Sequence, residues 1–302
     1  MEKLREPDFF IIGAPKCGTT ALATYLNSNR DILISEPKEP NFFNTDFSDD
    51  FGLFNSYEDY LKTCFRNNHK IKMDGEASIW YLFSEVAVSN ILTRFPDAKF
   101  IVILRNPVDM IYSLYSELLY QGVEDAKTFQ EAWSLRKLRW DNERVPDECV
   151  DPKVLWYGRV ASFGEQLERL YSQVDQENVK VILNTDLNKK PLETYKSTLK
   201  FLGVKYYGFK DFSKVNANKR VKSPLLLKIS RKLSSKKLTR VKRKIGIPAN
   251  YSLLNMVKNA NTKFEKRKPL STEFRKELVD FFMNDIEKAE KILNRDLSHW
   301  KR

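Results

Sequence analysis

The feature that most constrains this chain is an octet, Gly13-Ala14-Pro15-Lys16-Cys17-Gly18-Thr19-Thr20, set between the apolar run Phe9-Phe10-Ile11-Ile12 and an amphipathic stretch. A strand that enters a glycine-bounded loop and leaves as a helix offers backbone N–H groups and a positive helix end to an anion. The octet therefore predicts a phosphate-cradling loop. Its lysine is displaced. Triphosphatase loops of the form G-x-x-x-x-G-K-[ST] carry lysine after the second glycine, whereas here Thr19 stands there and the cation is Lys16, inside the loop. The spacing predicts a nucleotide-phosphate site whose chemistry is not ATP hydrolysis.

Periodicity extends the pattern. A strand at about 8–13 and a helix at about 18–28, with Ala21, Leu22, Tyr25 and Leu26 on one face, form a first βα unit. Apolar runs at Lys70 to Met73, Phe100 to Leu104 and Val179 to Leu183 alternate with helical stretches near 84–95, 107–120, 128–139, 157–173 and 191–202. A last helix spans about 272–293 behind a Ser271-Thr272-Glu273 start signal. Alternation of this kind predicts an α/β fold with a P-loop-like central parallel sheet flanked by helices. No repeat or low-complexity linker divides the chain, so residues 1–302 are read as a single domain.

Cysteines Cys17, Cys64 and Cys149 are odd in number and widely spaced, which argues against a disulfide framework or a zinc site. Neither a leader-like apolar segment nor a run of about 18 apolar residues is visible, so a cytoplasmic protein is expected. The formal net charge is +12, and it is local. Residues 219–244 hold twelve of the 52 basic residues and no acidic one, leaving 40 basic against 40 acidic residues elsewhere. Such a block suits a nucleotide phosphate, an acidic polymer or a membrane surface. Leu226, Ile229, Leu233, Val241 and Ile245 give part of it a broken helical stripe.

A second constellation, Ile103-Leu-Arg105-Asn-Pro-Val-Asp-Met-Ile-Tyr-Ser113, places an arginine at a strand end and a serine eight residues on, within the next helix. Ligands of open α/β sheets bind at the carboxyl ends of strands. A guanidinium with a hydroxyl there suits a second, separate phosphate.

Together the two constellations resemble the sulfotransferases that use 3′-phosphoadenosine-5′-phosphosulfate. Pro15-Lys16-Cys17-Gly18-Thr19-Thr20-Ala21-Leu22 is similar to that family's 5′-phosphosulfate loop, and the 103–113 segment to its 3′-phosphate motif. Ser35-Glu36-Pro37-Lys38-Glu39-Pro40-Asn41-Phe42-Phe43 resembles the segment in heparan-sulfate-type and bacterial members where a glutamate before Phe-Phe is the base. Gly75-Glu76-Ala77-Ser78 is similar to their following strand, Val215-Asn216 through Lys222-Ser223 to the bacterial nucleotide lid, and Pro269 to Trp300 to the closing helix.

The resemblance implies Glu39 as base for an acceptor hydroxyl, with Glu36 and Glu76 as competitors. Lys16 falls to the leaving phosphate, and Arg105, Ser113, Arg220, Lys222 and Ser223 to the nucleotide. The donor is 3′-phosphoadenosine-5′-phosphosulfate, the product adenosine 3′,5′-bisphosphate, and no metal is required, since in-line transfer needs charge neutralisation that lysine and backbone dipoles supply. Ala77 stands where many heparan-sulfate-type members carry lysine, which shifts weight to Lys38. The two histidines, His69 and His299, match no motif. Cys17, at a helix N-terminus, is a thiol whose pKa that end could lower, but it is read as a small loop residue.

The acceptor expected from the resemblance is a carbohydrate, with Trp80, Tyr81, Trp133 and Trp140 as residues able to stack on sugar faces or to line an apolar pocket. A lipid, polyketide or other small-molecule alcohol stays open. Two rival functions remain: a P-loop nucleotide kinase, disfavoured by the missing lysine, and a non-catalytic polyanion-binding module built on 219–244. Nucleic acid is not an expected partner, and the sequence gives no oligomeric state.

Overall fold

The computed structural model describes residues 4–65, 71–213, 219–221, 262–264 and 267–302. Strand β1 (Phe9–Gly13) is followed by α1 (Thr19–Asn27), β2 (Ile32–Ile34), α2 (Tyr57–Cys64), β3 (Met73–Ala77), α3 (Ala87–Arg94), β4 (Lys99–Leu104) and α4 (Pro107–Gln121). Then come α5 (Phe129–Ser134), α6 (Arg136–Trp140), α7 (Tyr157–Val160), α8 (Phe163–Tyr171), β5 (Val179–Leu183), α9 (Asn184–Lys189) and α10 (Pro191–Leu202). Short strands β6 (Lys219–Val221) and β7 (Thr262–Phe264) precede the long helix α11 (Thr272–Leu293).

Strands β1 to β5 form one sheet in the order β2-β3-β1-β4-β5. Every pairing in it is parallel, with Phe9 opposite both Gly75 and Lys99. This is the α/β architecture expected from the alternating runs. β1 is buried along its whole length because neighbours cover both faces of the sheet, which is why it reads as an unbroken apolar run. The Phe9 ring lies so close to Gly75 that a Cβ there would sit 2.2 Å from it, so the central pairing requires glycine at 75.

All five strands point the same way, so the loops after Gly13, Ile34, Ala77, Leu104 and Leu183 emerge along one edge. From β1 the chain goes to the edge strand β2, returns to β3 beside β1 and then crosses to β4 on the other side, making a topological switch point beside β1.

Caps follow the sequence signals. Asn106 Oδ1 accepts from the backbone N–H groups of Val108 and Asp109 at 3.0 and 3.4 Å, with Pro107 in the first turn of α4. Ser271 Oγ accepts from Phe274 N at 3.2 Å and opens α11. Caps of this kind contribute about 1 kcal/mol each. α11 buries Phe274, Leu278, Phe282 and Ile286, and packs along α8 and α4.

Several expectations shift. The strand expected at 70–73 begins at Met73 and runs to Ala77. Asp74 and Glu76 disguise it, being buried carboxyls paired with Arg5 and with two tyrosines. The helix expected at 128–139 divides at Leu135, and the one at 157–173 divides at Ala161 and Ser162. β2, α2 and α9 are additional elements, the first only three residues long. Of the basic block, only Lys219–Val221 is described, paired antiparallel to β7 with Arg220 opposite Lys263. Lys222, Ser223, His69, the 215–216 start of the lid and the helical stripe at 226–245 lie outside the described residues.

Candidate active site

The phosphate loop closes tightly at the carboxyl end of β1. Ala14 N donates to Ile103 O of β4 at 2.8 Å, which ties the loop to the strand that ends in Arg105. Gly18 has φ +107°, and a Cβ there would press Asn184 Nδ2 and Leu187 at 3.1 Å, so both conformation and space call for glycine. Lys16 also takes a left-handed backbone, φ +60°, and so do Glu39 and Asn41 at +62° and +49°. Non-glycine residues held in this region cost on the order of 1–2 kcal/mol each, and such strain gathers where function demands it.

Pro15, Cys17 and Thr19 are buried within the loop, while Lys16, Gly18, Thr20 and Ala21 are partly exposed along it. Burial pushes the Cys17 thiol up to about 12, overriding the positive influences of Arg105 and Lys16. Cys17 is thus an enclosed loop residue and not a reactive thiol, and its Sγ donates to Pro15 O at 3.4 Å.

The structure brings the two predicted phosphate motifs together. Arg105 Nη1 donates to Lys16 O at 3.4 Å, directly bridging them. Ser113, buried on α4, accepts from Arg267 Nη1 at 2.9 Å. Burial and the nearby Arg105 cation both hold the Arg267 guanidinium below its ordinary pKa. Two guanidinium groups and a hydroxyl thus lie close together, and cations brought together in this way suit an anion between them. Backbone pairing sets Arg220 in β6 opposite Lys263, and β6 lies against α4, which carries Ser113.

Glu39 follows β2 in the loop that crosses toward β3. Its backbone N donates to Ala77 O at 3.0 Å, and Lys38 Nζ donates to Glu39 Oε1 at 2.6 Å. Its side chain keeps 36% exposure. Glu36 is exposed nearby.

Glu76 is different, being wholly buried. Tyr60 and Tyr81 both donate to its Oε2, at 2.9 and 3.0 Å, while its Oε1 has no hydrogen-bond partner. Burial raises its carboxyl to about 7, against donors at Ser78, Tyr60 and Tyr81 that pull it down. The Tyr81 hydroxyl also accepts from Phe42 N and Phe43 N at 2.9 and 3.2 Å, and Ser78 Oγ accepts from Asn41 N. A chain of hydrogen bonds therefore runs from Glu76 through Tyr81 to the loop that carries Glu39.

Three contributors escape the sequence reading. Arg267 stands just before the closing helix, where the run Lys266-Arg267-Lys268-Pro269 was an available signal. Glu117 lies one turn beyond Ser113 on α4 and accepts from Lys16 Nζ at 2.9 Å, so i, i+4 spacing was the signal there. Asn184, the first residue after β5, donates from Nδ2 to Cys17 O at 2.7 Å and pins the loop from the far side. Of the four aromatics expected to stack on a sugar or to line an apolar pocket, Trp80, Tyr81 and Trp133 are buried in the core, which leaves them no free face for a sugar, and only Trp140 is exposed.

Known proteins resemble the chain in sequence and in fold. Residues 6–240 match the family described as Sulfotransferase domain. Bifunctional heparan sulfate N-deacetylase/N-sulfotransferase 1 of Xenopus laevis is 28% identical over 211 residues, covering 66% of this chain and 22% of its own length. The chain thus spans about a fifth of that relative. Membrane-associated sulfotransferase kil1 of Dictyostelium discoideum is 32% identical over 145 residues, covering 48% of this chain and 30% of its own. The crystal structure of a sulfotransferase from Alicyclobacillus acidocaldarius superposes with a TM-score of 0.74 at 26% identity, covering 99% of this chain and 100% of its own.

Proposed function

Because the chain belongs to the sulfotransferase family, we propose that it transfers a sulfuryl group from 3′-phosphoadenosine-5′-phosphosulfate to an acceptor hydroxyl, that of a glycan. The observation that carries this reading is the convergence of Arg105, Arg267 and Ser113 beside the phosphate loop. A lone P-loop explains one phosphate group. Two further cations and a buried hydroxyl fit a nucleotide with a second phosphate on its ribose.

When bound, the donor supplies a sulfuryl group already attached to a good leaving phosphate. The chain's own residues position and neutralise. The 13–20 loop and the N-terminal end of α1 hold the 5′ side, and Lys16 meets the charge that gathers on the departing phosphate oxygen. Arg105, Arg267 and Ser113 hold the 3′ side, and the resemblance of the 215–223 segment adds Arg220, Lys222 and Ser223 as further nucleotide-binding residues. Glu39 takes the acceptor proton, a role worth roughly 10²–10⁴-fold. Glu76, buried behind Tyr81, positions the Glu39 loop rather than touching an acceptor.

An amine acceptor is a second reading, favoured by the N-sulfotransferase named among the relatives. Labelled-sulfate transfer to a panel of N-acetylated and de-N-acetylated glycans separates the two. The first test is thermal stabilisation by adenosine 3′,5′-bisphosphate against ADP. Preference for the bisphosphate supports the reading, and equal stabilisation by both would count against the 3′-phosphate site and favour the nucleotide kinase.

A further inference from the structure

A pocket of about 690 Å³ opens among α6, α7, the start of α8 and Phe281 of α11. Its lining shares no residue with the phosphate loop, the 3′-phosphate group or the Glu39 loop. Its walls are aromatic and exposed: Trp140 is 39% and Phe281 49% exposed, and the Trp140 and Trp156 rings lie 4.3 Å apart at 42°. Guanidinium groups stand on these rings. Arg159 sits 4.1 Å above Trp140, and Arg136 sits 4.3 Å above Trp133 and 5.5 Å from Phe281.

The floor is rigid. Trp156 Nε1 donates to Arg139 O at 2.9 Å, and the buried Arg139 guanidinium is clamped to Glu124 by two hydrogen bonds of 2.6 Å. Contact with the rings therefore restrains the two surface guanidinia. Arg136 spends one donor on Trp133 O, and the only ion pair of Arg159 among the described residues is a long one, 4.0 Å to Glu85. Flat, pre-oriented forks bind carboxylate or sulfate oxygens at low entropic cost.

The charge around the pocket narrows the ligand. Arg136, Lys137 and Arg159 face Asp141 and Glu165, a small positive excess. A phosphate-dense polymer would meet those two carboxylates, and a lipid tail would meet the guanidinia. A ring with an apolar face and a single negative group satisfies both parts of the lining.

We propose that this pocket binds an acidic sugar ring, with its C–H face against Phe281 and the exposed edge of Trp140, and its carboxylate or sulfate on Arg136 and Arg159. The proposal deepens the glycan reading above, and rests on it, by making the acceptor an anionic chain gripped at a second point.

Calorimetry on the full chain, with adenosine 3′,5′-bisphosphate present, tests it. The probe is a hexasaccharide of alternating uronate and N-acetylhexosamine, and the control is a neutral N-acetylhexosamine hexasaccharide. The acidic probe is expected to bind at least tenfold more tightly than the neutral one. Combined Arg136→Gln and Arg159→Gln substitution should remove that margin, and Trp140→Ala should weaken binding several-fold, with unchanged bisphosphate affinity and melting temperature. All three side chains are at least partly exposed, so folding is not at stake. Absence of acidic binding, equal affinity for both probes, or loss only when the 219–244 lysines are neutralised would overturn the pocket. Should acidic binding depend on Trp140 and the arginines while no glycan accepts sulfate, the pocket stands and the acceptor reading fails.

Discussion

Lys16 Nζ donates to Glu117 Oε2 at 2.9 Å, so the cation that marks the phosphate loop is held by a carboxylate one helical turn beyond Ser113. Glu117 also accepts from Gln121, which steadies it. An incoming anionic donor must take Lys16 from that carboxylate. Glu117→Gln should therefore tighten adenosine 3′,5′-bisphosphate binding about fivefold, the worth of roughly 1 kcal/mol for a half-exposed pair. Calorimetry decides this, and unchanged or weaker binding would show that the pair imposes no barrier. Lys16→Ala should lower turnover by about 10²–10³, the usual loss for one transition-state donor.

Arg267→Ala removes a guanidinium from beside Ser113 and Arg105. Affinity for adenosine 3′,5′-bisphosphate should fall roughly 10- to 100-fold, with little change for adenosine 5′-monophosphate, because only the former carries the second phosphate. Parallel titrations of both nucleotides check it; equal losses would place Arg267 outside the 3′ site.

Glu39→Gln should cut turnover by about 10²–10⁴ while sparing bisphosphate affinity. Single-turnover sulfate transfer against calorimetry separates the two effects. If Lys38→Met reproduces the same loss, the 2.6 Å ion pair, and not the carboxylate alone, is what the reaction needs.

Glu76 predicts a pH effect on stability. Folding raises its carboxyl from 4.5 to about 7, so between those values the native chain keeps a proton that the unfolded chain has released. The stabilisation is full below about pH 4.5, declines as pH rises to about 7 and is flat above. Glu76→Gln fixes the neutral form. The parent should lose stability relative to this variant between pH 5 and pH 8, by up to about 3 kcal/mol, as read from denaturant melts at both pH values. A constant difference would mean that Glu76 does not titrate in this range.

The donor half of the site was legible because its chemistry is local. Gly18, Lys16 and Arg105 lie at strand ends whose apolar runs announce them, and Ser113 follows on the next helix. Arg267 and Asn184 were hidden because each reaches the site from a distant part of the chain, and only the folded sheet brings them there. Glu76 stood as a competing base because of its place at a strand end in a family-like segment. Its burial, invisible in sequence, gives it Tyr60 and Tyr81 as company instead of solvent. Trp80 and Trp133 misled for the same reason, since an aromatic side chain reads alike in a core and on a surface.

Glu39 hangs from β2, a three-residue strand at the rim of the sheet, whereas the phosphate loop and Arg105 spring from β1 and β4, separated from it by β3. Donor grip and acceptor choice are therefore mechanically separable. A transplanted 35–56 loop could retune what is sulfated, and the nucleotide-holding centre would keep its shape.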